Sequence, residues 1–206
     1  MFSIYDTREN REELLNKFLK VDPCVALVLA FLDFEWTIRR CILALGRSRT
    51  SVIRKKFSGE LPIKFYCKDE TTEWDKQEEK TGNKCICSFE GYKDLWNKEV
   101  QPLRKLYLFE LLNSRVNVTE IKGFDQNKLN HLKLKEPEIY NTYNFLKFVF
   151  RRFRNTLVHG IRTKVQEETA EFVFNFIVAC SGALCAYAEE QGESIYGRKI
   201  LRRKTL

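Results

Sequence analysis

The stretch that most constrains the fold opens at Asp22-Pro23 and closes at Gly46. Aspartate is a favoured helix N-cap, and proline suits the first helical position, where its missing N–H would have had no partner. Glycine is a common helix stop. Between these marks, residues 25–45 are apolar on most sides of a helical wheel. Such a segment predicts a central helix covered by neighbours, not a surface helix with one wet face. Asp33 and Glu35 inside it argue against a membrane span.

Other segments repeat the helical period. A first helix is predicted from about Thr7, with Glu9, Glu12 and Glu13 in its early turns, where the helix dipole favours acids. Its apolar face reads Leu14, Leu15, Phe18 and Leu19. A short basic helix is predicted over 50–57. Residues 58–88 hold Gly59, Pro62, Gly82 and an acidic patch over 69–79, and read as a surface insertion or long loop with room for a short strand at 63–67. Ser88 is placed to cap a helix over 89–100, and Pro102 restarts one that runs to about 112. Residues 113–135 show little periodicity.

A further helix is predicted from Glu136-Pro137-Glu138 to His159, with Leu146, Phe150, Phe153 and Leu157 as one apolar stripe. The last helix spans 166–191. Its stretch 172–188 is nearly all apolar, yet Asn175 lies within it and acids flank it, so it reads as a core helix. The four prolines and nine glycines sit near the ends of apolar runs. The expected fold class is therefore all-α: one helical-bundle domain over 1–206 with an insertion at 58–88.

The chain carries a net charge of +8 with a pI of about 9.1, which concentrates polyanions near its surface. Nucleic acid is the first such partner to consider and anionic membrane the second. Residues 1–20 are charged where a secretory leader would be apolar, and the seven cysteines are odd in number. Reduced thiols in a cytoplasmic protein are expected. Cys67, Cys85 and Cys87 lack the paired Cys-x-x-Cys spacing and a nearby histidine, so no metal site is expected. His131 reads as a surface residue, and the basic tail 198–204 as a solvated end.

The segment carrying the most chemistry is Arg151-Arg152-Phe153-Arg154-Asn155-Thr156-Leu157-Val158-His159-Gly160-Ile161-Arg162. No acid occurs from 139 to 166, while Lys147, Arg151, Arg152, Arg154, Arg162 and Lys164 do. On a helix Asn155 and His159 share a face, Arg151 and Arg162 extend it, and Arg154 reaches over it from one side. A histidine exchanges protons near neutral pH, and a guanidinium holds phosphate and offsets charge growing on its oxygens. These groups suit RNA cleavage without a metal or other cofactor. Arg151, Arg152, Arg162 and Lys164 are the candidate RNA contacts.

The pattern Arg154-Asn155-x-x-x-His159 resembles the signature of the HEPN superfamily of helical bundles, many of them metal-independent ribonucleases in toxin–antitoxin, abortive-infection and CRISPR systems. The resemblance implies a homodimer whose two motifs share a cleft, and cleavage by 2′-OH attack to leave a cyclic phosphate and a 5′-OH. It gives Arg154 the phosphate, His159 the proton transfers and Asn155 a supporting role. Glu35-Trp36-Thr37-Ile38-Arg39-Arg40 resembles the acidic–basic motif that some of these families carry on an earlier helix, which adds Glu35 and Arg39 to the site. Glu and Arg four apart on a helix also commonly form a simple ion pair. The tyrosine found two residues after the histidine in toxins paired with nucleotidyltransferase antitoxins is Ile161 here. The expected function is an endoribonuclease of toxin–antitoxin or antiviral defence, with RNA and an antitoxin or defence-system protein as partners and no membrane. The alternative is a non-catalytic module of the same fold that binds RNA or protein.

Overall fold

A computed structural model describes residues 6–47, 89–127, 141–154, 157 and 165–196. Its elements are α1 (Arg8–Val21), α2 (Pro23–Leu45), α3 (Phe89–Glu99), the short α4 (Gln101–Arg104), α5 (Leu108–Arg115), a 3-10 turn (Val118–Glu120), α6 (Thr142–Val149) running on as a π-helical turn (Phe150–Arg154), and α7 (Glu167–Glu190). Among the described residues there is no strand, so the fold is all-α. The predicted basic helix at 50–57, the insertion at 58–88, His131 and the tail 198–204 lie outside the described residues.

The two longest helices, α2 and α7, pack along each other, with α1 against α2 and α3, α5 and α6 closing the remaining sides. Fifteen residues of α2 are buried, as its all-round apolar pattern requires. Asp22 caps it, its carboxylate accepting from the backbone N–H of Cys24 at 2.9 Å and of Val25 at 3.1 Å. Gly46 ends the helix by close approach: a Cβ there would lie 2.5 Å from the carbonyl oxygen of Ile42 and 3.1 Å from Cβ of Glu99. Its φ of −76° is open to any residue, so the helix stops at Gly46 as expected but without a left-handed cap. By length and composition α7 is the described helix apolar enough to cross a membrane, and 56% of its apolar window is buried inside the protein. Cys41, Cys180 and Cys185 are buried, and with Cys24 they are free thiols.

One helix face and two boundaries differ from the sequence expectation. On α1 the predicted apolar face is rotated: Leu15 is buried, Phe18 is exposed, and Arg8 and Arg11 take the inner positions. Their burial follows from Asp33 on α2, which accepts from Arg8 Nη1 at 2.7 Å and from Arg11 Nε at 2.7 Å. A buried carboxylate recruits cations that hydropathy alone places outside. The helix expected after Pro102 breaks after one turn, because Lys105 adopts a left-handed φ of 54°. The chain restarts at α5, where Glu110 accepts from the backbone N–H of Tyr107 at 2.9 Å. Finally, of the helix expected from residue 136, residues 136–140 lie outside the described residues, and α6 begins at Thr142. Asn141 is extended and its side chain caps the backbone N–H of Asn144 at 3.0 Å.

Candidate functional site

The polypeptide around residue 150 is fixed by aromatic packing. Phe150 meets Phe31 and Phe34 of α2 edge-on, with ring centroids at 5.3 and 5.4 Å, and Phe89 of α3 at 5.3 Å. Each such pair adds about 0.5–1.5 kcal/mol beyond the area it buries. Phe153 is buried one step on. The stripe predicted from periodicity is thus the seam of the helix, but residues 150–154 wind as a π turn instead of continuing the α-helix. Such turns alter the register of the side chains that follow and recur at functional sites.

That seam brings Arg154 inward. Its side chain is 14% exposed and its Nε and Nη2 both lie 2.8 Å from Oε1 of Glu35, itself 7% exposed. The two residues are 119 positions apart in the chain. Sequence reasoning placed Arg154 on the polar surface. Position 154 follows Phe150 by four, which puts it at the edge of the buried stripe, and Glu35 supplies the charge that lets it stay there.

The second carboxylate oxygen of Glu35 is engaged from the other side. It accepts from the hydroxyl of Tyr92 at 2.9 Å and from Arg39 Nη2 at 3.2 Å. Arg39 in turn donates to the Tyr92 oxygen from Nε at 3.0 Å and from Nη2 at 2.6 Å. Four side chains from three segments therefore form one chain of charge-assisted hydrogen bonds: Arg39 and Glu35 on α2, Tyr92 on α3 and Arg154 on the π turn. Tyr92 is fully buried, and burial, followed by the neighbouring Glu35 charge, holds its hydroxyl well above the ordinary tyrosine range. It stays protonated and keeps donating throughout the neutral range. Compared with protein-family models, with curated proteins and with solved structures, the chain has no match.

The structure thus joins three of the residues singled out from sequence, Glu35, Arg39 and Arg154, and adds Tyr92. Arg151 and Arg152 are exposed beside them on the π turn. Asn155, His159, Arg162 and Lys164 lie outside the described residues. Tyr92 had one legible signal. It stands in the apolar face of α3 with Phe89, Leu95 and Trp96, where a hydroxyl needs a buried partner. The identity of that partner is a tertiary fact.

A second ionic cluster sits on the flank of α2 that faces α1. Asp33 binds Arg8 and Arg11, Arg8 also donates to the Val178 carbonyl of α7 at 3.2 Å, and Arg11 stacks on Trp36 at 3.8 Å. Burial works against the Arg8 charge, yet Asp33 outweighs it and holds the guanidinium above its ordinary range. Arg40 ties the C-terminal side of the bundle to this face by donating to the Ile195 carbonyl at 2.6 Å. Among the described residues no group of three or more His, Cys, Asp and Glu side chains is placed to hold a metal. An open groove between α5 and α7, lined by Arg115, Asn117, Glu120, Ala179, Gly182 and Ala183, includes none of the residues singled out from sequence.

Proposed function

We propose that the protein is a HEPN-type endoribonuclease that works without a metal, acting in toxin–antitoxin or antiviral defence in the cytoplasm. The observation that carries this reading is the Arg154–Glu35 ion pair. It links the Arg-Asn-x-x-x-His segment to the acidic–basic segment of α2, the two stretches that the one family resemblance singles out. In the reaction the ribose 2′-oxygen attacks the adjacent phosphorus and the bond from phosphorus to the 5′-oxygen breaks. His159 accepts or returns the proton, and Arg154 offsets charge on the phosphate oxygens. Glu35 and Arg39 act through Arg154 as positioning residues. Arg151, Arg152, Arg162 and Lys164 hold the RNA backbone on either side.

The working unit is a homodimer, in which the second copy supplies the second histidine. Val25 and Leu32 are 44% and 49% exposed on the outward stripe of α2, between the flank that carries Asp33 and the flank that carries Glu35. A second copy lying on that stripe covers it and brings the two sites near one axis. Light scattering tests this: a monomer at micromolar concentration contradicts it. An antitoxin or defence-system protein is the further partner of this reading.

The engaged state of Arg154 favours one alternative, a non-catalytic module of the same fold in which Glu35 and Arg154 brace an RNA- or protein-binding surface. Incubating labelled single-stranded RNA with purified protein and a chelator separates the two. Cleavage supports the enzyme; binding without cleavage supports the module.

A further inference from the structure

The Tyr92 hydroxyl occupies a place in the site that the reading above leaves without a role. Its hydrogen-bond polarity is settled by its partners. Arg39 has only donors to offer, so both of its contacts to the Tyr92 oxygen are donated to that oxygen. The single hydroxyl proton is left for Glu35 Oε2, at 2.9 Å. One carboxylate oxygen is thereby occupied by Tyr92 and Arg39, and the other faces Arg154 alone among the described contacts. A carboxylate free to rotate would offer Arg154 either oxygen; one held from the α3 side offers Oε1 in one direction. The ring of Tyr92 is clamped in the core beside Trp96 and Leu95, so the hydroxyl is a rigid post.

We propose that Tyr92 is a positioning residue, which orients Arg154 toward the scissile phosphate by fixing the rotation of Glu35. This rests on the ribonuclease reading of the same site. Tyr92 touches no reacting atom and acts through two intervening hydrogen bonds. Losing one charge-assisted bond from such a chain costs on the order of a tenfold change in the step it orients.

The test compares wild type, Tyr92→Phe, Arg154→Lys and the double variant. Phenylalanine keeps the buried ring and removes only the hydroxyl. With a fluorescent single-stranded RNA oligonucleotide as substrate, Tyr92→Phe lowers kcat roughly tenfold and leaves KM within about twofold, since orientation is lost and backbone contacts are kept. A purely structural tyrosine changes the folded fraction and leaves kcat per folded molecule alone. Denaturation midpoints give a readout that needs no activity. If Tyr92 acts on Arg154, the double variant shifts the midpoint by less than the sum of the single shifts. Additive midpoints overturn the proposal, and so does wild-type kcat in Tyr92→Phe. Should Tyr92→Phe fold poorly, Glu35→Gln reads the same chain from its centre: a similar loss of kcat supports it, and full kcat overturns it. Failure of the ribonuclease reading looks different, because wild type then cleaves nothing while the midpoints still decide the role of Tyr92.

Discussion

Arg154 presents Nε and Nη2 together to one oxygen of Glu35, each at 2.8 Å, from a π turn that Phe150 pins into the core. The pair holds the guanidinium in place with a carboxylate that Arg39 shares, so under the proposed function an RNA phosphate would compete with Glu35 for it. Removing the carboxylate charge therefore separates affinity from turnover. In a His159→Ala background, which keeps RNA intact, Glu35→Gln is expected to raise RNA affinity roughly a few-fold, because one phosphate contact is released from competition. In the active protein the same substitution is expected to lower cleavage about tenfold, because Arg154 loses its orientation. Fluorescence anisotropy and a cleavage time course check the two halves. Affinity and turnover falling together would contradict the arrangement.

Stability hangs on a different carboxylate. Asp33 is fully buried and is shared by Arg8 and Arg11, which are themselves buried. Removing one member of a buried ion group leaves its partners uncompensated, at a cost of about 3–5 kcal/mol. Asp33→Ala is expected to unfold in urea with a loss of that size. A loss below about 1 kcal/mol, the range of exposed pairs, would show that Arg8 and Arg11 find other partners.

The alkaline limb of stability follows from the buried thiols. Burial, opposed by Tyr196 and Arg8, pushes the Cys185 thiol from 9.0 up to about 11. A raised pKa means that the folded chain keeps a proton that the unfolded chain releases. The contribution is therefore complete below about pH 9 and is lost as pH rises through about 11. Cys41 and Cys180, also raised by burial, act in the same direction. Urea midpoints measured from pH 8 to 11 are expected to fall, and to fall less steeply in Cys185→Ala than in wild type. Parallel curves would contradict this assignment.

RNA affinity should report on the basic window through its salt dependence. Each phosphate contact on a single strand contributes a slope of about −0.7 to log K against log salt. Replacing the exposed Arg151 and Arg152 by alanine is expected to flatten the slope by roughly 1.4. An unchanged slope would route the RNA elsewhere, with the basic tail 198–204 the next place to look.

The helical fold was legible because Asp22, Pro23 and Gly46 punctuate an apolar run whose ends need no tertiary information. The stripe Leu146, Phe150, Phe153 and Leu157 was legible for a similar reason: a 3.6-residue period survives in sequence, and the first three are buried while Leu157 is half-buried. The π turn was not, since the residues that form it include no glycine or proline, and Phe150 at its start packs among Phe31, Phe34 and Phe89 from distant segments. Arg154 was found by residue type in an acid-free basic window, and Glu35 and Arg39 through the family resemblance, their spacing alone giving a simple ion pair. Their mutual contact was beyond sequence, because it joins segments 119 positions apart. The inward turn of Arg8 and Arg11 was not legible, since only the buried position of Asp33 explains it. The cap at Asn141 was not legible, because it is seen only once its side chain meets the backbone N–H of Asn144.

One cleavage assay decides whether this site cuts RNA. Wild type, His159→Ala and Arg154→Lys are incubated with end-labelled single-stranded RNA in the presence of a chelator, with circular dichroism run on each. Lysine keeps the charge at 154 and gives up the planar fork that meets Glu35. Wild type is expected to cut and to leave a cyclic phosphate and a 5′-OH. His159→Ala loses roughly a hundredfold or more, as expected for a missing proton-transfer group. Arg154→Lys loses at least about tenfold, with helical content kept in both variants. Full activity in His159→Ala, or a wild type that binds the RNA and never cuts it, would contradict the account.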